Sequence, residues 1–403
     1  MNKIVYESNY VTVSIDEIAI DERLACDIFI KDHSIIQPLF YRGTVFDVAT
    51  RDLLRQKGIE EVYLRKEDVT DLDQRHSDRR SEDNHPTNEM YSLYKVEYYQ
   101  VDRNVLIPGK EVNFSLFVLY RGNLIPFIES GNSGCTVIPE GVMSIIGDIM
   151  IKNADIPLYH DYLVSLNAAD LLGKVGSRQT TLVLRENSKI VVKSLLDNPR
   201  SGEKIKEINV LVNKIIDLIL DNRNAFYDLI SLRDYDYYTY THSVNVAVLS
   251  LGLGTAIGLE RKSVEKLGMG AMLHDIGKSV IPHSILNKMG RLTEEEYEVI
   301  KSHVIEGERI LSNHKGIPAE SVRTVLEHHE RLLGKGYPHR LSGDKISLFG
   351  RISAIVDVYD AMTTERPYRP AYTPFYALLD VTQQRGLFDP DILIIFIKMI
   401  GKC

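Results

Sequence analysis

The sequence LHDIGK at residues 273–278 closes an apolar run that begins at Leu267 and is typical of a buried helix. Adjacent residues on a helix point roughly 100° apart. His274 and Asp275 can therefore flank one metal ion, or Asp275 can reach across to a second ion. A lone His-Asp pair is weak evidence for a metal site, so its meaning depends on the residues around it.

Further histidines and aspartates lie on predicted helices on both sides of this pair. Eight of the 12 histidines of the chain fall between His242 and His339. A single histidine on an apolar helix is more often a hydrogen-bonded core residue than a ligand, but several such residues on converging helices favour a metal centre in a helical bundle. One of these helices opens with the capping box of Thr293 and Glu296. The residues that join His274 and Asp275 are His242, His303, His328, His329 and Asp357.

The candidate metal ligands are imidazole and carboxylate groups, with no thiolate among them. The cysteines are Cys26, Cys135 and Cys403, which form no CxxC pair. This distribution argues against a disulfide framework and against a thiolate-held structural zinc. Imidazole with carboxylate suits iron, manganese or catalytic zinc.

These residues stand in ordered motifs that resemble a known family. The segment from about residue 235 to 370 resembles the HD-GYP branch of the HD phosphohydrolase superfamily. The motifs that carry the resemblance are HSVNVA (242–247), LHDIGK (273–278), IPHSILNKMGRLTEEEYEVIKSH (281–303), HHE (328–330), GKGYP (334–338) and DVYDAMTTERPYR (357–369).

The resemblance implies a helical domain that holds metals and cleaves cyclic di-GMP to linear pGpG or on to GMP. It implies a first metal site of His242, His274, Asp275 and Asp357, and a second, bridged by Asp275, of His303, His328 and His329. A bridged metal pair would lower the pKa of a shared water and give a hydroxide nucleophile. We expect Asp275 and Lys278 to be catalytic. The expected substrate contacts are Lys278, Gly336, Tyr337, Pro338, Arg366 and Arg369.

Two positions depart from the family pattern. Some members carry a carboxylate four residues before the first histidine, where it helps hold a third metal, but this chain has Tyr238. A tyrosine with its ordinary pKa near 10 is a poor ligand, so we expect two divalent ions, iron or manganese, and no third. Leu333 stands where members often carry Asp, which makes the GYP loop more apolar. This difference can alter the order of the loop, the choice of substrate or contacts with a partner, such as a signalling protein at the GYP loop.

Three alternatives remain open on the sequence. The first is cleavage of another cyclic dinucleotide, such as cyclic GMP-AMP. The second is a non-catalytic cyclic dinucleotide receptor, which the complete set of seven ligand-type residues disfavours. The third is a nucleotidase or alarmone hydrolase of the wider superfamily, which the extra histidines and GKGYP disfavour.

The whole chain is predicted to be an α+β multidomain protein. We expect a small α/β module at 1–67, a charged linker at 68–90, a β-rich regulatory module at 91–200, a connecting amphipathic helix at 201–234 and an all-α HD-type catalytic bundle at 235–403. Within residues 65–90, 13 of 26 residues are charged, so this stretch cannot bury a core. The patterns around residues 105–118 and 18–30 are similar and indicate a duplicated module.

The stretch at 203–232 has apolar residues at helical spacing, from Ile205 to Ile219. It can pack on its own domain, or it can link sensor to catalyst and form a homodimer. No stretch approaches the ~20 apolar residues of a membrane span, and no signal peptide is evident, so we expect a cytoplasmic protein with no membrane partner. A net charge of −8 disfavours a nucleic-acid polymer as partner.

Overall fold

The computed structural model describes residues 10–66, 97–170, 178–231, 239–364 and 371–401, except for residues 19, 21, 25, 27, 33–34, 41–44, 47, 57–58, 121–122, 131–134, 146, 222 and 289. The chain divides into two compact units. One unit consists of residues 1–81 together with 233–403, and the other of residues 82–232. The predicted linker at 68–90 lies outside the described residues, and the predicted domain boundaries stay predictions.

The N-terminal segment forms a small antiparallel module. A four-stranded sheet has the order β1-β6-β3-β4, and β2 pairs with β5 beside it. Alternating burial in β6 shows that one face of the sheet covers a core. The elements are β1 (Tyr10–Ser14), β2 (Glu22–Arg23), β3 (Ile28–Asp32), β4 (Ile35–Phe40), β5 (Val45–Phe46), α1 (Val48–Gln56) and β6 (Glu61–Arg65).

The second unit begins with a sheet of the same design. Its strands are β7 (Tyr98–Val101), β8 (Glu111–Val112), β9 (Leu116–Tyr120), β10 (Asn123–Ile128), β11 (Thr136–Val137) and β12 (Asp148–Lys152). The sheet order is β10-β9-β12-β7, and β8 pairs with β11. When each module is numbered from its own first long strand, both sheets read 1-4-2-3.

The edge hairpins of the two sheets share the same irregularity. Phe29 of β3 pairs with Pro38, and Phe117 of β9 pairs with Pro126. In each hairpin the register shifts so that the residue after the proline, Leu39 or Phe127, is skipped. Proline lacks the N–H that a central strand needs, and it is confined to edge strands and bulges. The duplication predicted from sequence is therefore confirmed by topology and by this bulge.

Four α-helices follow in the described part of the second unit, and the last two of them lie in the segment predicted as one amphipathic helix. These helices are α2 (Ile156–Asp170), α3 (Arg178–Asp197), α4 (Gly202–Asp221) and α5 (Arg223–Ser231). The apolar face of α4, including Ile208, Val212 and Ile215, is buried in the chain itself, and α4 packs against α3. This burial favours the interpretation that the helix packs on its own domain. The predicted homodimer would have to use another surface, such as the exposed Val210.

The described residues between 239 and 401 form a helical bundle, which confirms the predicted all-α domain. Its helices are α6 (Thr239–Ile257), α7 (Arg261–Leu273), α8 (His283–Leu286), α9 (Glu294–Lys301), α10 (His303–Ser312), α11 (Ala319–Glu327), α12 (Leu348–Thr363), α13 (Pro374–Gln383) and α14 (Pro390–Ile400). The central α6 packs against α7, α12 and α14, and α11 packs against α7 and α12. Nearly all of α6 is buried, because helices cover it on several sides.

A 3-10 turn at Ile276–Val280 links α7 to the next part of the bundle. It approaches α10 closely at Gly277, where an added Cβ would lie 1.9 Å from the carbonyl oxygen of His303 and 2.6 Å from the Gly307 nitrogen. Only glycine permits two backbones to come this close. In the part of the chain that is described, no helix is both long and apolar enough to cross a membrane.

Candidate metal centre

Three buried histidines lie at ends of helices in the bundle. A nearby backbone carbonyl orients the imidazole ring of each. In each case the Nδ1 atom faces the carbonyl oxygen three residues earlier. A carbonyl can only accept a hydrogen bond, so Nδ1 carries the proton and Nε2 presents a lone pair. The pairs are His274 with Ala271 (2.7 Å), His303 with Ile300 (2.7 Å) and His328 with Val325 (2.8 Å).

The seven ligand-type residues predicted from sequence lie together in the bundle core. Within each of three groups, the candidate ligand atoms lie within 4.8 Å of one another. The groups overlap, because His274 and His328 each belong to two of them. They are His242, His274 and Asp357; His303, His328 and His329; and His274, Asp275 and His328.

Asp275 lies between the histidines of the outer groups. Its Oδ1 atom is 3.3 Å from Nε2 of His303, and its Oδ2 atom is 3.5 Å from Nε2 of His274 and 3.9 Å from Nε2 of His242. The two oxygens of one carboxylate thus face different sets of imidazoles. A carboxylate in this position can bridge two cations.

Several atoms of the cluster have no hydrogen-bond partner among the residues that the structure describes. Nε2 of His274 and Oδ1 of Asp275 are buried and unsatisfied, at a cost of roughly 1–3 kcal/mol for each such atom. The Nε2 atoms of His303 and His328 lie 3.3 Å apart. Because both rings carry their proton on Nδ1, two lone pairs face each other. A divalent cation would bind the unsatisfied atoms of His274 and Asp275 and would separate the facing lone pairs of His303 and His328. The residues therefore fit a metal.

The charge states suit metal binding. Burial lowers the pKa of His303 to about 4, and it also lowers the pKa values of His328 and His329 well below the ordinary range. These imidazoles are therefore neutral near pH 7. Burial alone would raise the pKa of Asp275, but Lys278 and the surrounding histidines outweigh it and hold that pKa well below its usual range. The carboxylate stays ionised.

His242 differs from the other histidines because two carboxylates hold it. Its Nε2 atom is 3.0 Å from Oδ1 of Asp357, and its Nδ1 atom is 2.8 Å from Oδ2 of Asp360. Burial lowers the pKa of His242, but these hydrogen bonds outweigh burial and raise the pKa to about 10. A cation that binds Nε2 must displace this proton, so metal uptake there releases a proton.

Sequence reasoning missed Asp360 as a functional residue, although its motif was recognised. The available signal was its spacing, because residues three apart on α12 share a helix face with Asp357. It also missed Glu330, which is 1% exposed and accepts hydrogen bonds from the backbone nitrogens of His339 (2.7 Å) and Leu341 (2.9 Å). Glu330 therefore fixes the loop that contains the GYP sequence.

The predicted substrate-contacting residues are distributed around this centre. Lys278 donates to Oδ2 of Asp275 at 2.6 Å. The ring of Tyr337, beside Pro338, lies 4.6 Å from the ring of His329 at an interplanar angle of 30°. An added Cβ at Gly336 would lie 2.4 Å from the His329 carbonyl oxygen, so the loop approaches the histidine backbone closely. Arg366, Arg369 and Tyr238 lie outside the described residues, and Leu333 is 56% exposed.

Comparisons with known sequences cover the part of the chain that contains these residues. Residues 224–392 match the family model described as HD domain. The cyclic di-GMP phosphodiesterase PA4108 of Pseudomonas aeruginosa is 37% identical over 221 residues, which are 54% of this chain and 53% of that protein. The 3'3'-cGAMP-specific phosphodiesterase 2 of Vibrio cholerae is 36% identical over 138 residues, which are 34% of this chain and 26% of that protein.

One solved structure is similar over most of the chain. Bd1817, an HDG"Y"P protein from Bdellovibrio bacteriovorus, matches with a TM-score of 0.59 at 16% identity, over 76% of this chain and 100% of that chain. At this identity the likeness bears on the fold alone. The chain spans about half the length of the Pseudomonas relative and a smaller share of the Vibrio one.

Proposed function

We propose that this chain, whose residues 224–392 match the HD domain family, is a metal-dependent phosphodiesterase of the HD-GYP type. It would hydrolyse cyclic di-GMP to pGpG, to GMP or to both. The observation that carries the proposal is the position of Asp275, whose two oxygens face different sets of neutral imidazoles. The relatives with named activities support the choice of a cyclic dinucleotide as substrate.

We propose that the centre holds two divalent ions, iron or manganese. His242, His274 and Asp357 would hold one ion, and His303, His328 and His329 would hold the other, with Asp275 between them. When bound, such ions supply Lewis acidity to the phosphodiester and make a water nucleophile available at neutral pH. The choice of two rather than three ions rests on Tyr238, and metal analysis that finds three tightly bound ions per chain would contradict it.

The chain's own residues orient the substrate in this proposal. Lys278 lies beside Asp275 and brings a positive charge to the phosphate. Gly336, Tyr337 and Pro338 form the wall next to His329. The sequence assigns Arg366 and Arg369 to the second phosphate or to a guanine face. The largely buried setting of Lys278 and Asp275 strengthens their electrostatic contacts relative to water.

A hydrolysis assay tests the activity directly. Purified protein is incubated with cyclic di-GMP and, in parallel, with cyclic GMP-AMP, in Mn²⁺ or Fe²⁺, and the products are resolved by chromatography. We expect turnover of cyclic di-GMP, and its loss in His274→Ala and Asp275→Ala. The matched control is Lys266→Met, which removes an exposed charge that pairs with Glu320 on the same domain.

Three outcomes bear on the proposal. Activity of His274→Ala near that of the wild type contradicts the metal mechanism. Faster turnover of cyclic GMP-AMP than of cyclic di-GMP identifies cyclic GMP-AMP as the preferred substrate. Binding of cyclic di-GMP without hydrolysis under any metal condition points to a receptor.

We also propose that the N-terminal module regulates this site. Phe40, which is fully buried at the end of β4, lies 6.3 Å from the ring of Tyr372. Tyr372 follows residues 365–370, the segment that carries the two predicted substrate-binding arginines. Phe40→Ala should change the KM for cyclic di-GMP without changing metal content. An unaltered KM in a folded Phe40→Ala protein contradicts regulation through this contact.

The homodimer through residues 203–232 and a signalling partner at the GYP loop also remain proposals. The exposed Leu333 supports the loop contact. Sedimentation of the full chain, with Val210→Glu as the variant, tests the dimer: a monomeric wild type contradicts it.

A further inference from the structure

An exposed aromatic residue lies near the GYP loop and has no role in the activity described so far. Tyr297 of α9 is 47% exposed, and no residue of this helix is fully buried. A large aromatic ring left open to solvent loses the stabilisation that burial would give it. Packing within the chain therefore covers only about half of this side chain.

Tyr297 belongs to a continuous group of side chains that leads to the metal centre. The ammonium of Lys301 lies 4.7 Å from the centre of the Tyr297 ring and 5.7 Å from the centre of the Tyr337 ring. Tyr337 in turn lies against His329. Lys301 stands two residues before His303, so the helix that presents this cation leads directly into the candidate ligands.

Tyr337 is not free to stack on a ligand with both faces, because one face lies against His329. Tyr297, by contrast, keeps much of its surface in solvent. An incoming flat ring can reach Tyr297 more easily than it can reach Tyr337.

We propose that Tyr297 and Lys301 receive one purine base of the substrate and favour guanine over adenine. The proposal rests on the function proposed above. The base stacks on Tyr297, since base–aromatic stacking is available to every purine. Lys301 donates to the base edge. Guanine offers two adjacent acceptors there, O6 and N7, whereas adenine offers N7 beside an amino donor, and an ammonium group can only donate.

Glu298 is the group that competes for Lys301. Its carboxylate lies 2.5 Å from the ammonium, but its side chain is 68% exposed. An exposed ion pair of this kind is weak and screened by salt. The ammonium has three donors, so a base can bind without breaking the contact with Glu298.

The test measures KM and kcat of the full-length, metal-loaded protein for cyclic di-GMP and cyclic di-AMP. We expect Tyr297→Leu to raise KM for cyclic di-GMP about tenfold with a small change in kcat, and Tyr297→Phe to restore most of the affinity because the ring is kept. Lys301→Met should lower the ratio of kcat/KM for cyclic di-GMP to kcat/KM for cyclic di-AMP about tenfold. Lys266→Met is the charge-matched control away from these rings.

The outcomes separate this inference from the function on which it rests. If the wild type hydrolyses no cyclic dinucleotide, the proposed function fails. If the wild type is active but Tyr297→Leu leaves KM unchanged, or lowers kcat together with metal content, the base-binding role is overturned. A Lys301→Met protein with an unaltered guanine preference overturns the assignment of specificity to Lys301.

Discussion

Asp360 accepts a hydrogen bond from His242, with Nδ1 and Oδ2 2.8 Å apart in a fully buried setting. The same helix, α12, presents Asp357 to the Nε2 atom of this ring. One helix thus supplies both a candidate metal ligand and the carboxylate that orients a second ligand. Such carboxylate–histidine pairs raise the basicity of a metal-bound imidazole and fix its orientation.

Asp360→Asn should weaken metal binding while leaving the seven candidate ligands in place. The amide lacks the charge that holds the imidazole, and it can turn its NH₂ group toward Nδ1 and move the ring proton to Nε2, the ligating atom. We expect a 10–100-fold loss of Mn²⁺ affinity, measured by titration calorimetry on chelator-treated protein. The control is Asp380→Asn on α13, whose carboxylate accepts from Gln384. Equal affinities for the wild type and Asp360→Asn would show that Asp360 does not act through His242.

Gly277→Ala should damage the centre through the backbone. The new Cβ would lie 1.9 Å from the carbonyl oxygen of His303, which cannot move without shifting α10. We expect a loss of about 1–3 kcal/mol in unfolding free energy, as for other overpacked sites, together with weaker metal binding. Gly290→Ala provides the matched control because its Cβ meets nothing within 4 Å. A Gly277→Ala protein as stable as Gly290→Ala contradicts the close approach.

The sequence predicted the bundle and the seven clustered side chains well, because a purely apolar core would not place so many imidazoles and carboxylates on its buried helices. It did not predict the role of Asp360, because the spacing puts Asp360 on the face of Asp357 but does not show which side chain its carboxylate contacts. The bulges after Pro38 and Pro126 were not predicted either, because register depends on the partner strand. The spacing of the apolar residues also did not predict that residues 203–232 divide into two helices.

The stability of chelator-treated protein should be greatest near neutral pH. The pKa of His303 is lowered from 6.5 to about 4 in the folded chain, so the stability from its neutral form is present above pH 6.5 and is lost as the pH falls toward 4. The pKa of His242 is raised to about 10, so its contribution is complete below pH 6.5 and is lost as the pH rises toward 10.

Urea midpoints measured from pH 4 to 10 by circular dichroism test these opposite slopes. We expect His303→Gln to reduce the loss of stability on the acid side, and His242→Gln to reduce the loss on the alkaline side. A wild-type midpoint that rises steadily up to pH 10 would contradict the assignment for His242.

The buried ion pair of the second unit gives a prediction away from the metal centre. Glu186 of α3 accepts from Lys189 at 2.9 Å and from the hydroxyl of Tyr99 at 3.0 Å, and the side chains of Glu186 and Lys189 are at most 5% exposed. Glu186→Gln removes the carboxylate charge that lies 2.9 Å from the buried Lys189 ammonium. Breaking such a pair costs about 3–5 kcal/mol, whereas replacing both partners costs far less.

Hydrogen exchange of residues 82–231 should therefore show strong destabilisation in Glu186→Gln and substantial recovery in the double variant Glu186→Gln with Lys189→Met. If the double variant is no more stable than the single one, the loss comes from the Tyr99 hydrogen bond rather than from loss of the charge pair with Lys189.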